Sequence, residues 1–146
     1  MSHYSLAVIT DYTPDYAALC KLLAPFEEDA APEYMTEFFE DDSFEEGGFY
    51  INPNAKWDWW MSGGRWRDLI SVGGVPTYQS RIGDIDEEFT TWAVLTEDGE
   101  WEEPGRVGFF GTSTATMERE REWNEGYGAR YLGDPDLIVT IIDCHI

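Results

Sequence analysis

The fold is decided by Leu137-Ile138-Val139-Thr140-Ile141-Ile142, a nearly unbroken run of β-branched residues. Such a run predicts a strand at the centre of a sheet, covered on one or both faces. A second apolar run, also predicted to be a buried strand, lies near the other end of the chain at Tyr4-Ser5-Leu6-Ala7-Val8-Ile9-Thr10. We expect both strands near the sheet centre, where they are candidate neighbours.

Two helices are predicted in the first third of the chain. Thr13 followed by Pro14 is typical of a helix start, and Pro25 ends that helix. Pro32 is expected to open a second, short helix that runs through Phe39.

The second half of the chain adds strands and a third helix. Leu69 to Val72 predicts a strand, and Asp98-Gly99 predicts a hairpin turn between strands at Trp92 to Thr96 and at Trp101. The segment from Thr112 to Thr116 is suited to cap a helix. Aromatic residues then recur at every fourth position, as on one face of a helix: Trp123, Tyr127 and Tyr131.

This order of elements predicts one α+β domain over residues 1–146, with two to three helices packed on a mainly antiparallel sheet. A ferredoxin-like arrangement is one candidate topology. An acidic insert around residues 27–48 interrupts the domain, and we expect a mobile connector from Asp41 to Gly48.

The chain carries 30 acidic and 9 basic side chains among 146 residues, for a formal net charge of -21. The summed negative field argues against direct nucleic-acid binding and against binding to anionic membranes. No apolar run approaches the roughly 18 residues that span a bilayer, and the first residues lack a signal-peptide pattern. We therefore expect a cytoplasmic protein in which Cys20 and Cys144 are reduced thiols.

Residues 52–67, here called the Trp/Gly segment, differ from this acidic background. They contain four tryptophans, three cations and the pair Gly63-Gly64, and acidic blocks without a basic residue lie on either side. Trp and Arg offer flat faces for stacking, Arg offers a fork for a carboxylate or phosphate, and glycine allows close approach of the backbone. The candidate ligand- or partner-binding residues are Lys56, Trp57, Asp58, Trp60, Gly63, Gly64, Arg65, Trp66 and Arg67.

Three interpretations of the Trp/Gly segment are open. In the first, the segment is part of the core: polar and aromatic residues alternate in Lys56-Trp57-Asp58-Trp59, which would bury Trp57 and Trp59 on one strand face, with Trp66 packed nearby. As a binding site, its tryptophans and arginines would stack on a base or sugar and clamp a phosphate, with Asp58 accepting a hydroxyl. As a docking patch, it contains the residue types that are enriched at interface hot spots.

Two histidines flank the terminal strands, His3 before the first and His145 after the last. If those strands pair antiparallel, both imidazoles emerge at one end of the sheet, and Asp143 would act as an orienting carboxylate. His3, Asp143 and His145 are therefore candidate catalytic acid–base groups. The alternative is a pair of terminal histidines whose nitrogens are satisfied by backbone carbonyls.

The sequence predicts no metal site and no cofactor. A His-Cys-His set at the chain ends lacks a fourth ligand, and the sequence motifs for nucleotide binding, zinc proteolysis and the nucleophile elbow are absent. Asp84-Ile85-Asp86 would place two carboxylates on one face of a strand, where they could hold a cation or stand in a solvated loop.

Several segments together resemble a family of small uncharacterised proteins of bacteriophages and prophages. The main ones are Met1-Ser2-His3-Tyr4, Asn52-Pro53-Asn54-Ala55-Lys56-Trp57-Asp58-Trp59 leading to Gly63-Gly64-Arg65-Trp66, and Asp143-Cys144-His145-Ile146. Three others are Asp84-Ile85-Asp86, the stretch from Trp101 to Gly111, and Asp134-Pro135-Asp136-Leu137. The acidic region between Pro25 and Tyr50 is shorter than in that family. The resemblance implies a phage setting and no particular activity.

Two functions remain open. The first is a non-enzymatic phage accessory protein, such as a counter-defence inhibitor, whose acidic blocks dock on a basic surface of a host or phage protein. The second is a binder, sequestering protein or modifying enzyme for a nucleotide-like anionic small molecule at the Trp/Gly segment. Its enzymatic form uses His3, Asp143 and His145 and requires them to lie within reach of that segment. The net charge of -21 in a folded, aromatic-rich domain motivates the first, which is the broader hypothesis, although composition alone is explained as well by high solubility as by an acidic docking face.

Overall fold

The computed structural model describes residues 2–108 and 112–146; Met1 and Gly111, at the ends of two of the resembling segments, lie outside the described residues. Its strands are β1 (His3–Thr10), β2 (Glu37–Glu40), β3 (Gly48–Ile51), β4 (Trp59–Ser62), β5 (Ile70–Val72), β6 (Val75–Thr77), β7 (Gln79–Arg81), β8 (Ala93–Thr96), β9 (Trp101–Glu102) and β10 (Ile138–His145). Its helices are α1 (Tyr16–Leu23) and α2 (Met117–Tyr131).

The two apolar runs form the central pair of the main sheet, as the sequence predicts. β1 and β10 pair antiparallel along their whole length. β8 lies parallel to β1 on its other side, followed by antiparallel β9. The free edge of β10 is shared, because β4 pairs with its last residues and β7 with its first. The result is an α+β domain whose sheet is antiparallel except for the β1–β8 pair.

The two helices cover opposite faces of this sheet. Leu6 and Val8 pack in one apolar cluster with Leu19 of α1. Ala7, whose side chain points the other way along β1, packs with Trp123 of α2. Both faces need cover because β1 and β10 are apolar on both sides. The ferredoxin-like arrangement is not confirmed, since a split βαβ unit has a strand between its parallel strands whereas β1 and β8 are direct neighbours.

The predicted aromatic helix is confirmed over α2. Thr116 caps it by accepting a hydrogen bond from the backbone N–H of Arg119 at 3.2 Å. Trp123, Tyr127 and Tyr131 are all buried and in edge or tilted ring contact with one another. The predicted hairpin turn between β8 and β9 is also confirmed. No helix in the described part of the chain has the length and apolar character needed to cross a lipid bilayer.

The start of the first helix differs from the prediction. Asp15, not Thr13, is the N-cap of α1, and its carboxylate accepts the backbone N–H of Ala18 at 2.8 Å. A carboxylate at this position satisfies one of the free N–H groups of the first turn. The helix ends at Leu23, and Pro25 lies in the short 3-10 turn that follows.

The predicted second helix through Phe39 is wrong. Only Pro32–Tyr34 forms a helical turn, and Phe38 and Phe39 lie in β2, which pairs with β3 as a separate two-stranded sheet. The acidic connector is the loop of this hairpin, closed by a hydrogen bond from Asp41 N to Gly47 O at 2.9 Å. We call residues 37–51 the aromatic hairpin.

Candidate functional site

The register of the central strands brings the two chain ends together. His3 lies opposite His145, and Ser5 lies opposite Asp143. The imidazole rings of the two histidines meet edge to face with their centroids 4.8 Å apart. The structure therefore places the three candidate acid–base residues at one end of the sheet.

His3 is held by a buried carboxylate. Its Nδ1 lies 2.8 Å from Oδ1 of Asp143, a residue with only 1% of its surface exposed. The second carboxylate oxygen, Oδ2, accepts the backbone N–H of Arg65 at 3.0 Å. Both oxygens of Asp143 thus have a donor, as a buried carboxylate requires.

Gly64 makes room for that carboxylate. Its φ of +55° lies in the left-handed region, and a Cβ built on it would lie 2.9 Å from Cγ of Asp143 and nearer still to Oδ2. A side chain at this position would therefore displace Asp143. The Gly63-Gly64 pair of the Trp/Gly segment is used for close approach of the backbone, here to a carboxylate of the protein itself.

His145 belongs to a second pair of the same kind. Its Nδ1 lies 2.7 Å from Oδ1 of Asp58, and its carbonyl accepts the backbone N–H of Asp58 at 2.9 Å. Asp58 precedes β4, which pairs with the last residues of β10. About a third of the Asp58 side chain is exposed, so this pair is more accessible than that of His3.

Each pair leaves one imidazole nitrogen available. A carboxylate beside Nδ1 favours the tautomer that carries the proton there, so a neutral imidazole presents the lone pair of Nε2. Among the described residues, neither Nε2 atom has a hydrogen-bond partner. Each histidine can accept a proton at Nε2 when neutral and donate one when protonated.

Both histidines open onto one cavity. Its volume is about 410 Å³, and its lining side chains are His3, Asp58, Trp59 and His145. His3 also borders a neighbouring cavity of about 450 Å³ beside α2, whose walls include Ser5, Trp66 and Trp123. The first of these is a shallow depression open to solvent, and its volume lies within the range of small-molecule sites.

The Trp/Gly segment contributes part of this site. Asp58 orients His145, Gly64 admits Asp143, and Arg65 supplies its backbone N–H. Trp66 is half-buried beside the larger cavity, and Gly63 begins the turn that carries these groups. The exposed Arg67 side chain donates to the carbonyl of Gly64 at 3.4 Å.

Three other candidates of this segment lie away from the histidines. Lys56 is paired with Glu103 at 2.6 Å between Nζ and Oε1. Trp57 is buried in the cluster on the α1 face and donates its Nε1–H to the carbonyl of Leu23. Trp60 packs on that same face. These three stabilise the core or its margin.

Trp59 does not lie where the core interpretation of the Trp/Gly segment expected it. It is 47% exposed, and its ring makes edge contacts with His3 and His145, each with centroids 5.7 Å apart. The predicted alternation fails because β4 begins only at Trp59, while Trp57 bridges to Glu27. Only the pairing of β4 with β10 reveals that Trp59 lies opposite His145.

The other chemical candidates have structural roles. Asp84 pairs with Arg81, whereas Asp86 accepts two backbone N–H groups of the Gly73-Gly74 turn, so the two carboxylates do not share a strand face. Burial raises the pKa of the Cys144 thiol, which keeps it protonated. Among residues 2–108 and 112–146, no group of three or more His, Cys, Asp and Glu side chains is placed to hold a metal ion.

Comparison with models of known protein families, with curated proteins and with solved structures finds no match for this chain.

Proposed function

We propose that this protein binds a nucleotide-like anionic small molecule beside the paired histidines and performs acid–base chemistry on it. The observation that carries the proposal is the presence of two His–Asp pairs on one cavity, each with a free Nε2. A single terminal histidine with a carboxylate is common in structural roles. Two of them, 4.8 Å apart between ring centroids, form an acid and a base within reach of one ligand.

The chemistry suits hydrolysis or transfer of a phosphate ester. A neutral imidazole takes the proton of the attacking hydroxyl or water at Nε2 as the new P–O bond forms. The protonated imidazole gives its Nε2 proton to the oxygen that leaves as the old P–O bond breaks. The two histidines exchange protonation states, and proton exchange with water restores them.

Several groups around the histidines support an anionic and partly aromatic ligand. A bound anion favours the protonated imidazole, which then donates a hydrogen bond to it. Arg65 supplies its backbone N–H to Asp143, and the side chains of Arg65 and Arg67 after the Gly64 turn are exposed. Trp59 offers an exposed ring beside both imidazoles.

Asparagine variants separate catalysis from a structural role. The Nδ2 of asparagine stands in for the imidazole Nδ1, so His3→Asn and His145→Asn keep a donor for the carboxylate while removing Nε2. We would offer nucleoside monophosphates and linear or cyclic dinucleotides and follow them by phosphorus NMR. We expect turnover by the natural chain and a loss of roughly 100-fold or more in each variant.

The imidazole resonances give a second measurement on the same samples. We expect added nucleotide to shift the signals of both histidines in the natural chain. If no nucleotide is turned over and neither imidazole signal moves, the acid–base proposal is wrong. Shifted signals without turnover would reduce it to a binding or sequestering function.

We also propose a protein-docking function, as an acidic accessory protein of the phage-infected cell that binds a basic host or phage protein in the cytoplasm. It is supported by the net charge of -21, by the run of residues 22–55 without a base, and by the resemblance to phage proteins. Capture of a basic partner from infected lysate should weaken steeply with salt and with charge reversal at Glu45 and Glu46. Failure to recover a partner at low salt would exclude it.

A further inference from the structure

The aromatic hairpin, which the acid–base site does not use, exposes large apolar side chains on both of its faces. In the register of β2 and β3, Phe38 lies opposite Tyr50 and Phe39 lies opposite Phe49. Because side chains alternate along a strand, these pairs lie on opposite faces. The exposed fractions of the aromatic residues in this hairpin, including Phe44 of the loop, range from 38% to 59%.

The pairing of the aromatic rings stabilises the hairpin, but this explains only part of their placement. The ring centroids of Phe38 and Tyr50 are 5.2 Å apart, and those of Phe39 and Phe49 are 5.3 Å apart, so each pair stabilises the strand pairing. The outer surfaces of these rings nevertheless remain in water. Exposed clusters of large apolar side chains, such as the one on each face of this hairpin, mark interaction sites in soluble proteins.

The charge around the rings selects the kind of partner. Residues 37–51 contain six carboxylates and no basic side chain: Glu37, Glu40, Asp41, Asp42, Glu45 and Glu46. Nucleic acids, anionic lipid head groups and a second copy of this chain are all repelled by such a surface. A protein surface that combines an apolar pocket with lysine or arginine side chains complements both the rings and the carboxylates.

We propose that the aromatic hairpin is the docking element for such a basic protein. This inference rests on the docking function proposed above and gives it a surface; it is independent of the histidine site. The rings supply the apolar contacts that hold the complex, and the carboxylates supply orientation and a fast, salt-dependent association.

Two peptides of equal charge test the apolar part of the proposal. The probes are an alternating Lys-Leu peptide and an alternating Lys-Ser peptide, titrated into the full chain at about 0.15 M salt. We expect the Lys-Leu peptide to bind roughly 10-fold or more tightly than the Lys-Ser peptide, since burying even two leucines contributes more than the 1.4 kcal/mol per tenfold.

Matched variants show which residues cause the difference in affinity between the two peptides. Phe39→Ser with Tyr50→Ser should remove the preference for the Lys-Leu peptide, and Tyr50→Ser alone should reduce it while leaving the Phe39–Phe49 pair intact. The control is Val75→Ser with Met117→Ser, which changes two exposed apolar side chains elsewhere and should leave the preference unchanged. Circular dichroism checks that each variant is folded.

The outcomes separate this inference from the broader docking function. Equal binding of the two peptides by the natural chain would overturn the hairpin proposal and leave docking by charge alone. A preference that persists in the Tyr50 and Phe39 variants would overturn it as well. If neither peptide binds at low salt, both proposals fail. Dimerisation that depends on these rings would identify a second copy as the occupant and also overturn it.

Discussion

The histidine end of the sheet and the aromatic hairpin depart in opposite ways from the usual separation of polar and apolar groups. At the first, a carboxylate is 1% exposed between an imidazole and a backbone N–H. At the second, Tyr50 is 59% exposed although the chain has an apolar core available. A buried charge and an exposed aromatic cluster each cost stability unless something else compensates.

The two regions differ in where the compensation comes from. Asp143 is compensated inside the protein, because its oxygens already have donors and Gly64 leaves the space. The rings of the hairpin are only partly compensated by each other and keep their outer surfaces in water. In the first region internal hydrogen bonds fix the geometry, whereas in the second an apolar surface is left exposed. The two should therefore respond to mutation very differently.

The largest effect is expected at Gly64. Gly64→Ala should lower the free energy of unfolding by about 3 kcal/mol or more, because the added Cβ strains the backbone and displaces a buried carboxylate. Gly73→Ala is the matched control, since Gly73 has φ +58° and nothing within 4 Å of the position that a Cβ would take; it should cost about 1 kcal/mol. Urea unfolding measures both, and equal losses would contradict the role of Gly64.

The two carboxylates of the site should differ from each other. Asp143→Asn should lower the free energy of unfolding by about 1–3 kcal/mol. Both oxygens of the buried carboxylate accept a hydrogen bond, whereas the amide of asparagine has one oxygen that accepts and one NH2 group that donates. Asp58→Asn should cost less than about 1 kcal/mol, because that side chain is partly solvated. Thermal unfolding of the two variants gives the comparison, and a greater loss for Asp58 would reverse our ranking of the two pairs.

Hairpin variants should hardly change stability. Tyr50→Ser should alter the free energy of unfolding by less than about 1 kcal/mol, because more than half of that side chain is already in water. Tyr127→Ser, which removes a buried ring of α2, should cost about 3 kcal/mol or more. If Tyr50→Ser unfolds the chain to a similar extent, the hairpin is part of the core and the contrast between the two regions disappears.

The smallest effect concerns pH at the hairpin loop. Hydrogen bonds from the hydroxyl and then the backbone N–H of Ser43 hold the pKa of Asp41 below its usual range. Since the folded pKa is the lower one, this local stabilisation is present above the ordinary carboxyl pKa and is lost as the pH falls through the folded value. The amide signal of Ser43 should move in that acidic range, and Asp41→Asn should remove the transition; an unchanged titration in the variant would assign it to another group.

Much of the main sheet could be predicted because its signals are local. The apolar runs of β1 and β10, the Asp98-Gly99 turn and the aromatic stripe of α2 each lie within a few consecutive residues. The pairing of β2 with β3 could not be predicted, because the spacing of Phe38 and Phe39 after Pro32 is also compatible with a helix. Their partners are further along the chain, Phe49 ten residues after Phe39 and Tyr50 twelve residues after Phe38.

The candidate site shows the same limit. The convergence of His3, Asp143 and His145 follows from antiparallel pairing of two recognisable strands. The role of Asp58 and the position of Trp59 depend on the pairing of β4 with β10, and the sequence of β4 has no pattern that predicts which strand it pairs with. The pairing of β4 with β10 joins segments about 80 residues apart, and it depends on which edge of the sheet is still unpaired when the other strands are in place.

By itself, the sequence determined the α+β class, the two central strands, the aromatic face of α2 and an acidic surface, because periodicity and charge are properties of neighbouring residues. The tertiary structure alone decided that the helices cover opposite faces, that Gly64 lies against Asp143, and that Asp58 and Trp59 join the two histidines at one cavity. It also decided that the aromatic hairpin stays in water. Each of these depends on which distant segments meet, and that is set by the joint packing of the whole chain.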